Sequence, residues 1–187
     1  MNRPNILITI ADDLAWPHLS AYGCRFVSTP NCDRVDREGL LFEHCYTTAP
    51  TCTASRGSLL TGRYPWQLEE GCQLYSLLPG KFPVYPDILE ESGYFVGYTN
   101  KGWAPGNYEA GGRTRNPAGP AYDEETCTPL TSTMSKNDYP ANFDAFLRDK
   151  PEYAPFCFWY GAKEPHRPYE NGSGLKHGKR LEDVEVP

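Results

Sequence analysis

The sequence contains no long apolar run and no excess of basic residues. None of its apolar segments reaches the ~18 consecutive residues that a membrane-spanning helix requires. The first one, 5–10, runs directly into two aspartates and is too short for a secretory signal peptide. The net charge of -6 provides no field that would attract nucleic acid to the whole surface. We therefore expect no membrane span, no nucleic-acid partner, and a cytoplasmic location or, where a leader has been removed, a periplasmic or secreted one.

The chain also lacks a C-x-x-C pair, although it has 7 cysteines. An odd number of cysteines cannot all pair within one chain, and 187 residues can build one hydrophobic core without disulfides. We therefore expect most of the cysteines to be buried, reduced thiols, and we expect no structural zinc site. The cysteines are Cys24, Cys32, Cys45, Cys52, Cys72, Cys127 and Cys157.

Segments with strand and helix patterns alternate along the chain. Short apolar runs predict strands, while a proline near the start and a glycine at the end of a segment predict helices. The predicted strands are 5–10, 40–48, 94–99 and 155–162, and the predicted helices are 31–39, 55–62, 85–93 and 142–149. This alternation predicts an α/β fold with a mostly parallel sheet and helices on both faces, its first strand covered on both sides.

Polar residues follow the predicted strands. Asp12 and Asp13 follow the first strand and Cys52 the second. Lys101 follows the third strand and His166 the last. Because the carboxyl ends of parallel strands meet at one edge of the sheet, where α/β proteins bind ligands, we expect these residues to lie together.

Each of these residues has a chemical and a structural interpretation. Adjacent carboxylates suit a hard cation, but they also cap helices or lie in solvated turns. A cysteine at a helix N-terminus with Arg56 nearby suits an anion site, or a buried cysteine beside a structural arginine. A cysteine phosphatase is excluded, because its arginine follows the cysteine by six residues and Ser58 stands there. Lys101 could be a surface lysine and His166 a loop residue. The basic stretch 163–180 could form a rim that binds an anionic ligand, or a solvated face.

The segment 51–63, TCTASRGSLLTGR, resembles the C-x-[PA]-x-R signature of the type I sulfatases of the alkaline phosphatase superfamily. The opening RPNILITIADD is similar to that family's first strand and metal pair, and KEPHRP resembles its PHxP segment. These motifs occur in the family's order over essentially the whole chain. The segment GAKEPHRPYENG is also similar to the N-sulfoglucosamine sulfohydrolase and heparan sulfatase branch.

The resemblance implies a sulfatase, a hydrolase that acts on a sulfate ester or an N-sulfate of a sugar. Cys52 would be oxidised to formylglycine by a formylglycine-generating enzyme, and one hydroxyl of its hydrate would attack the sulfur. Arg56 would hold the hydrate, and Lys101 would contact it and the sulfate. His166 would protonate the leaving oxygen or contact the sulfate.

The resemblance also implies a metal site and a longer catalytic domain. Asp12, Asp13 and the modified Cys52 would bind Ca²⁺, with Mg²⁺ as the alternative ion. Trp103 stands where the family has a histidine, and the family's later metal ligands and second lysine are not found in the sequence. Residues 1–187 are therefore expected to be the N-terminal portion of that domain, which could be inactive alone. The alternatives are a phosphoester or phosphonate hydrolase of the same superfold and a non-catalytic sulfatase-like binding module.

Overall fold

A computed structural model describes residues 3–184, with a parallel three-stranded sheet at the centre. The strands are β1 (Ile6–Ala11), β2 (Phe95–Asn100) and β3 (Phe156–Ala162), arranged in the order β1-β3-β2. The predicted α/β fold with a parallel sheet is therefore confirmed. Within the described residues, no helix combines the length and the apolar character needed to cross a membrane.

The helices begin and end where turn-forming residues occur in the sequence. The helices are α1 (Pro30–Glu38), α2 (Cys52–Thr61), α3 (Tyr85–Glu91), α4 (Tyr139–Asp149) and α5 (Ser173–Lys176). Prolines lie in the first turns of α1, α3 and α4, where a missing N–H costs no helical hydrogen bond. Gly62 ends α2 with a φ of 67°, the left-handed conformation that glycine adopts most easily.

Neighbouring residues of β3 anchor the cores on its two faces. Phe158 packs against α4, with its ring centroid 4.6 Å from that of Phe146. Trp159 belongs to the opposite core, together with Leu60 of α2 and Trp103. None of these side chains is more than 1% exposed, and burying each contributes about 1.5–3 kcal/mol of hydrophobic free energy. Helices therefore lie on both faces of the sheet, as predicted.

Two of the strand predictions are wrong. Residues 40–48 form no strand, and Leu40 and Tyr46 are 82% and 83% exposed. Apolar composition is insufficient there because a strand also needs a neighbour for its N–H and C=O groups, and no segment of 3–184 pairs with this one. β1 is not covered on both sides either, since its side chains alternate between half-buried and exposed. β1 is an edge strand, and Leu7 on its outer face is 48% exposed.

The prediction that most cysteines are buried is also wrong. All seven are free thiols, and only Cys157 is buried. This residue lies in the central strand, where burial raises the pKa of its thiol to about 11. Cys32 is exposed on α1, and Cys45 is exposed in the irregular segment 40–48. Burial depends on where the surrounding segment packs, which the number and spacing of cysteines do not specify.

Candidate active site

The register of the sheet brings three charged residues together at the carboxyl ends of the strands. β1 and β3 end opposite each other, and β2 ends one residue earlier, opposite Gly161. Asp12, Lys163 and Lys101 directly follow β1, β3 and β2. A Cβ atom at Gly161 would collide with the carbonyl oxygen of Lys101, so the chain after β2 can pass this closely only because residue 161 is glycine.

Asp12 is 5% exposed and forms ion pairs with two cations. Lys101 Nζ donates to Oδ2 at 2.5 Å, and Arg56 Nη2 donates to Oδ1 at 3.1 Å. Burial alone would raise the pKa of Asp12. The hydrogen bond from Lys101 and the charges of Arg56 and Lys101 outweigh burial and hold the pKa of this carboxyl below its usual 3.8. The side chain at this position is therefore a carboxylate at neutral pH.

Arg56 is 4% exposed and has fixed partners. Its Nη1 donates to the carbonyl oxygens of Lys101 at 2.6 Å and Gly102 at 3.0 Å, and its guanidinium lies over the ring of Trp159. The residues alone left an anion site and a structural arginine open, and the family resemblance implied that this guanidinium holds the hydrate of the modified Cys52. In the structure it holds Asp12 and the main chain after β2, and its contact with a modified Cys52 remains a prediction.

Cys52 is half-buried and is the first residue of α2, which begins three residues earlier than the predicted helix 55–62. The next residue fixes the start of the helix, because Trp103 Nε1 donates to the Thr53 carbonyl at 3.1 Å and the Thr53 hydroxyl donates to the Pro105 carbonyl. Trp103 is 1% exposed. The tryptophan at the position of the family histidine is therefore a core residue that orients the helix carrying Cys52.

His166 lies at the end of a closed turn after β3. Its backbone N–H donates to the Lys163 carbonyl at 2.9 Å. Its Nδ1 atom lies 2.6 Å from the carbonyl oxygen of Arg167. Because a carbonyl oxygen only accepts hydrogen bonds, Nδ1 carries the hydrogen in this contact. Nε2 is left to bind a metal, to accept a proton or, when protonated, to donate one.

A cavity of 470 Å³, a volume typical of small-molecule sites, lies beside these residues. The structure thus brings together four of the residues that the sequence singled out: Asp12, Cys52, Lys101 and His166. The remaining lining residues are Leu74, Tyr75, Asn100, Ala104, Pro105, Lys163 and Arg167. A larger cavity of 710 Å³ is lined by residues 45–48 and by α2 and the residues after it, and it contains none of the predicted site residues.

Three of the lining residues can hold a metal ion. Asp12, Cys52 and His166 each offer one ligand atom, and these atoms lie within 4.8 Å of one another. Asp13 is outside this group. It is exposed in the turn after β1, with a left-handed φ of 63°. Its role as a metal ligand therefore remains a prediction.

A polar network that the sequence analysis missed connects the ends of β2 and β3. The Tyr139 hydroxyl accepts from Asn100 Nδ2 at 2.8 Å and from Lys163 N at 3.1 Å, and it donates to Glu164 Oε2 at 2.7 Å. Asp123 accepts from Asn100 N at 2.6 Å. The φ of Asn100 is 60°, which asparagine tolerates better than most residues. In the sequence, the one sign of this network was an asparagine directly after the predicted strand 94–99. The other contacts join segments that are distant in sequence.

The sequence and the structure both match known proteins. The family model described as Sulfatase matches residues 4–179. The chain is 36% identical over 143 residues to an N-acetylgalactosamine-6-O-sulfatase of Bacteroides thetaiotaomicron, a match that covers 69% of this chain. It is 28% identical over 179 residues to an N-acetylglucosamine-6-O-sulfatase of the same organism, over 88% of this chain. The matches cover 27% and 31% of the two relatives, so the chain spans about a third of their length or less.

Solved structures share the fold. A protein solved in complex with its substrate D-glucosamine-2-N,6-O-disulfate superposes with a TM-score of 0.69 and 23% identity, over 90% of this chain and 36% of the other. A phosphonate monoester hydrolase of Agrobacterium radiobacter superposes with a TM-score of 0.62 and 20% identity, over 89% of this chain and 42% of the other. At these identities the superpositions establish a common architecture.

Proposed function

The chain belongs to the sulfatase family, and we propose that it hydrolyses a sulfate ester or an N-sulfate of a sugar. The observation that carries the proposal is the cavity onto which Asp12, Cys52, Lys101 and His166 open together. Relatives named N-acetylgalactosamine-6-O-sulfatase and N-acetylglucosamine-6-O-sulfatase, and a structural neighbour bound to D-glucosamine-2-N,6-O-disulfate, support a sulfated sugar as the substrate class.

In this proposal Cys52 is converted to formylglycine by a formylglycine-generating enzyme before catalysis. The conversion replaces sulfur by oxygen, so that the modified side chain and Asp12 both present oxygen atoms at the metal group. Oxygen ligands suit Ca²⁺ or Mg²⁺, and Asp13 is the adjacent residue that could add another. A bound cation would make a hydroxyl of the modified side chain more acidic and would offset the charge of the sulfate.

The side chains around the cavity favour an anionic ligand. Lys101 and Arg56 already neutralise Asp12. Lys163 Nζ has one carbonyl partner, Thr133 at 3.2 Å. For the Arg167 guanidinium no hydrogen bond or ion pair occurs among residues 3–184. These two side chains therefore add positive charge to the wall of the cavity, where a sulfate group would be attracted.

In this proposal His166 acts on the leaving oxygen. Its Nδ1–H is held by the Arg167 carbonyl, which fixes the ring and leaves Nε2 as the atom available to the substrate. In its protonated form Nε2 would donate a proton to the sugar oxygen as the bond to sulfur breaks. General acid catalysis of this kind accelerates reactions by about 10²- to 10⁴-fold.

The test compares aryl sulfate with aryl phosphate as substrates for the chain produced together with a formylglycine-generating enzyme. Sulfate release should dominate, and the Cys52→Ala variant should show none, because it cannot form the aldehyde. A dominant phosphatase rate would support a phosphoester or phosphonate hydrolase instead. The mass of the Cys52 peptide is measured on the same preparation. A fully unmodified thiol together with no turnover would indicate a binding module.

A further inference from the structure

We propose that the chain whose Cys52 is still a thiol binds Zn²⁺ through the Asp12 carboxylate, the Cys52 thiolate and the His166 imidazole. The three ligand atoms lie within 4.8 Å of one another at the edge of the cavity. The proposal goes beyond the hydrolase function, because it concerns the protein before conversion and does not depend on turnover.

The donor atoms are those that Zn²⁺ prefers. One sulfur, one nitrogen and one oxygen form a mixed set typical of zinc, whereas Ca²⁺ and Mg²⁺ take oxygen ligands almost exclusively. Zinc at bond lengths of about 2.0–2.3 Å holds tetrahedral ligand atoms about 3.3–3.8 Å apart. The three atoms lie no more than 4.8 Å apart and therefore need to approach one another by at most about 1.5 Å. Three protein ligands leave the fourth position open towards the cavity.

Two of the ligands are already oriented. The Nδ1–H of His166 donates to the Arg167 carbonyl at 2.6 Å, the arrangement that in zinc sites fixes the ring and directs Nε2 to the metal. Arg56 donates one hydrogen bond to Oδ1 of Asp12, and Lys101 donates one to Oδ2. A carboxylate has about four lone-pair positions, so about two remain for a metal.

Cys52 supplies the charge that the site needs. It is the first residue of α2, where the backbone N–H groups of the first helical turn have no partner within the helix and face the negative charge of a zinc-bound sulfur. On binding, the thiol proton passes to solvent and the sulfur–zinc bond forms. The thiolate adds a negative charge beside the ion, while the Asp12 carboxylate is shared between the ion and its two cationic partners, Arg56 and Lys101. Zinc and the oxidation that forms the aldehyde consequently compete for one sulfur atom.

The experiment measures Zn²⁺ affinity of the unconverted chain by competition with a chromophoric chelator, and uses Co²⁺ as the spectroscopic probe of a metal–thiolate bond. Cys52→Ser and His166→Gln should each weaken Zn²⁺ binding by more than about 100-fold, since even the loss of a partner behind a metal ligand costs 10- to 100-fold. Cys52→Ser should also abolish the sulfur-to-cobalt absorption. Cys32→Ser and His177→Gln change exposed residues outside the group and should leave both readouts unchanged.

A second measurement keeps Cys52 in place. Zn²⁺ should slow alkylation of Cys52 by iodoacetamide in the wild type, as read from the mass of its peptide, and His166→Gln should remove this protection. Circular dichroism establishes that each variant is folded. Zinc affinity equal in the wild type and both ligand variants, a cobalt–thiolate band that survives Cys52→Ser, or alkylation indifferent to Zn²⁺ would each overturn the proposal.

Discussion

Asp12 is a buried carboxylate whose stability contribution depends on two neighbouring cations. The Asp12 and Arg56 side chains are 6% and 5% exposed, and that of Lys101 is 16% exposed. A buried ion pair adds little net free energy compared with an apolar pair, but removing one member leaves the other buried without compensation. The three charged side chains therefore add little net stability together, but each one needs its partners in order to be buried.

Asp12→Asn should lower the free energy of unfolding by about 3–5 kcal/mol, because Arg56 and Lys101 lose their counter-charge. Urea denaturation at neutral pH measures the loss. Glu69→Gln is the control, since it removes an ion pair with Lys81 in which both side chains are more than half exposed. That change should cost at most about 1 kcal/mol. Similar losses in the two variants would show that the charges at Asp12 are well solvated.

The difference in stability between the wild type and Asp12→Asn should also depend on pH. The pKa of Asp12 is lowered in the folded protein, so its contribution is complete above the ordinary value of 3.8 and is lost as the pH falls through the lower folded value. The test measures the unfolding free energies of both proteins between pH 7 and pH 2, at intervals of about one pH unit. The two curves should converge at the acid end; a gap that widens on acidification would contradict the lowered pKa.

At the scale of elements, the site depends on how β2 and β3 are joined beyond their ends. The Tyr139 hydroxyl, at the first residue of α4, contacts the side chain of Asn100, the last residue of β2, and the backbone of Lys163, the first residue after β3. Glu164 completes the network. One hydroxyl therefore sets the separation between the loops that carry Lys101 and His166.

Tyr139→Phe should destabilise the protein by about 1–3 kcal/mol, because two donors and one carboxylate oxygen lose their shared partner. It should also weaken the binding of inorganic sulfate, measured by calorimetry. Tyr122→Phe is matched to it, since it removes one 3.3 Å hydrogen bond to Asp149 at a position away from the cavity. Sulfate binding should be unaffected by that control. Equal effects of both variants on sulfate affinity would show that Tyr139 does not position the loops of the site.

At the scale of the whole molecule, the sheet is unevenly protected. β3 is hydrogen-bonded on both sides and covered on both faces, whereas β1 is paired on one side and exposed on its outer face. Residues 40–48 make no backbone ladder with any described segment. Within residues 3–184 the sheet thus has a well-packed central strand and an edge strand, β1, whose outer face is exposed.

Amide hydrogen exchange should follow this order. The amides of β3 should exchange most slowly, those of β1 faster, and those of 40–48 fastest, because exchange tracks the free energy needed to expose each hydrogen bond. Mass spectrometry of peptides that separate the three segments measures the rates. Protection of 40–48 equal to that of β1 would show that this segment does pair as a strand, as the sequence alone predicted.

The sequence by itself determined the fold class and four residues that share the cavity. Apolar runs and prolines mark three strands and their helices, and parallel strands necessarily direct Asp12 and Lys101 to one edge. The resemblance of the segment around Cys52 added the family. These features are local, so they can be read along one chain.

Only the tertiary structure decided how those residues are used. In the structure residues 40–48 form no strand, Trp103 is buried, and Arg56 forms an ion pair with Asp12. The tertiary structure also joined Asn100 to Tyr139. Each of these results depends on a partner that is distant in sequence: a neighbouring strand, a packed helix or an opposite charge. Local patterns state what a residue can do, and burial and pairing in three dimensions select what it does.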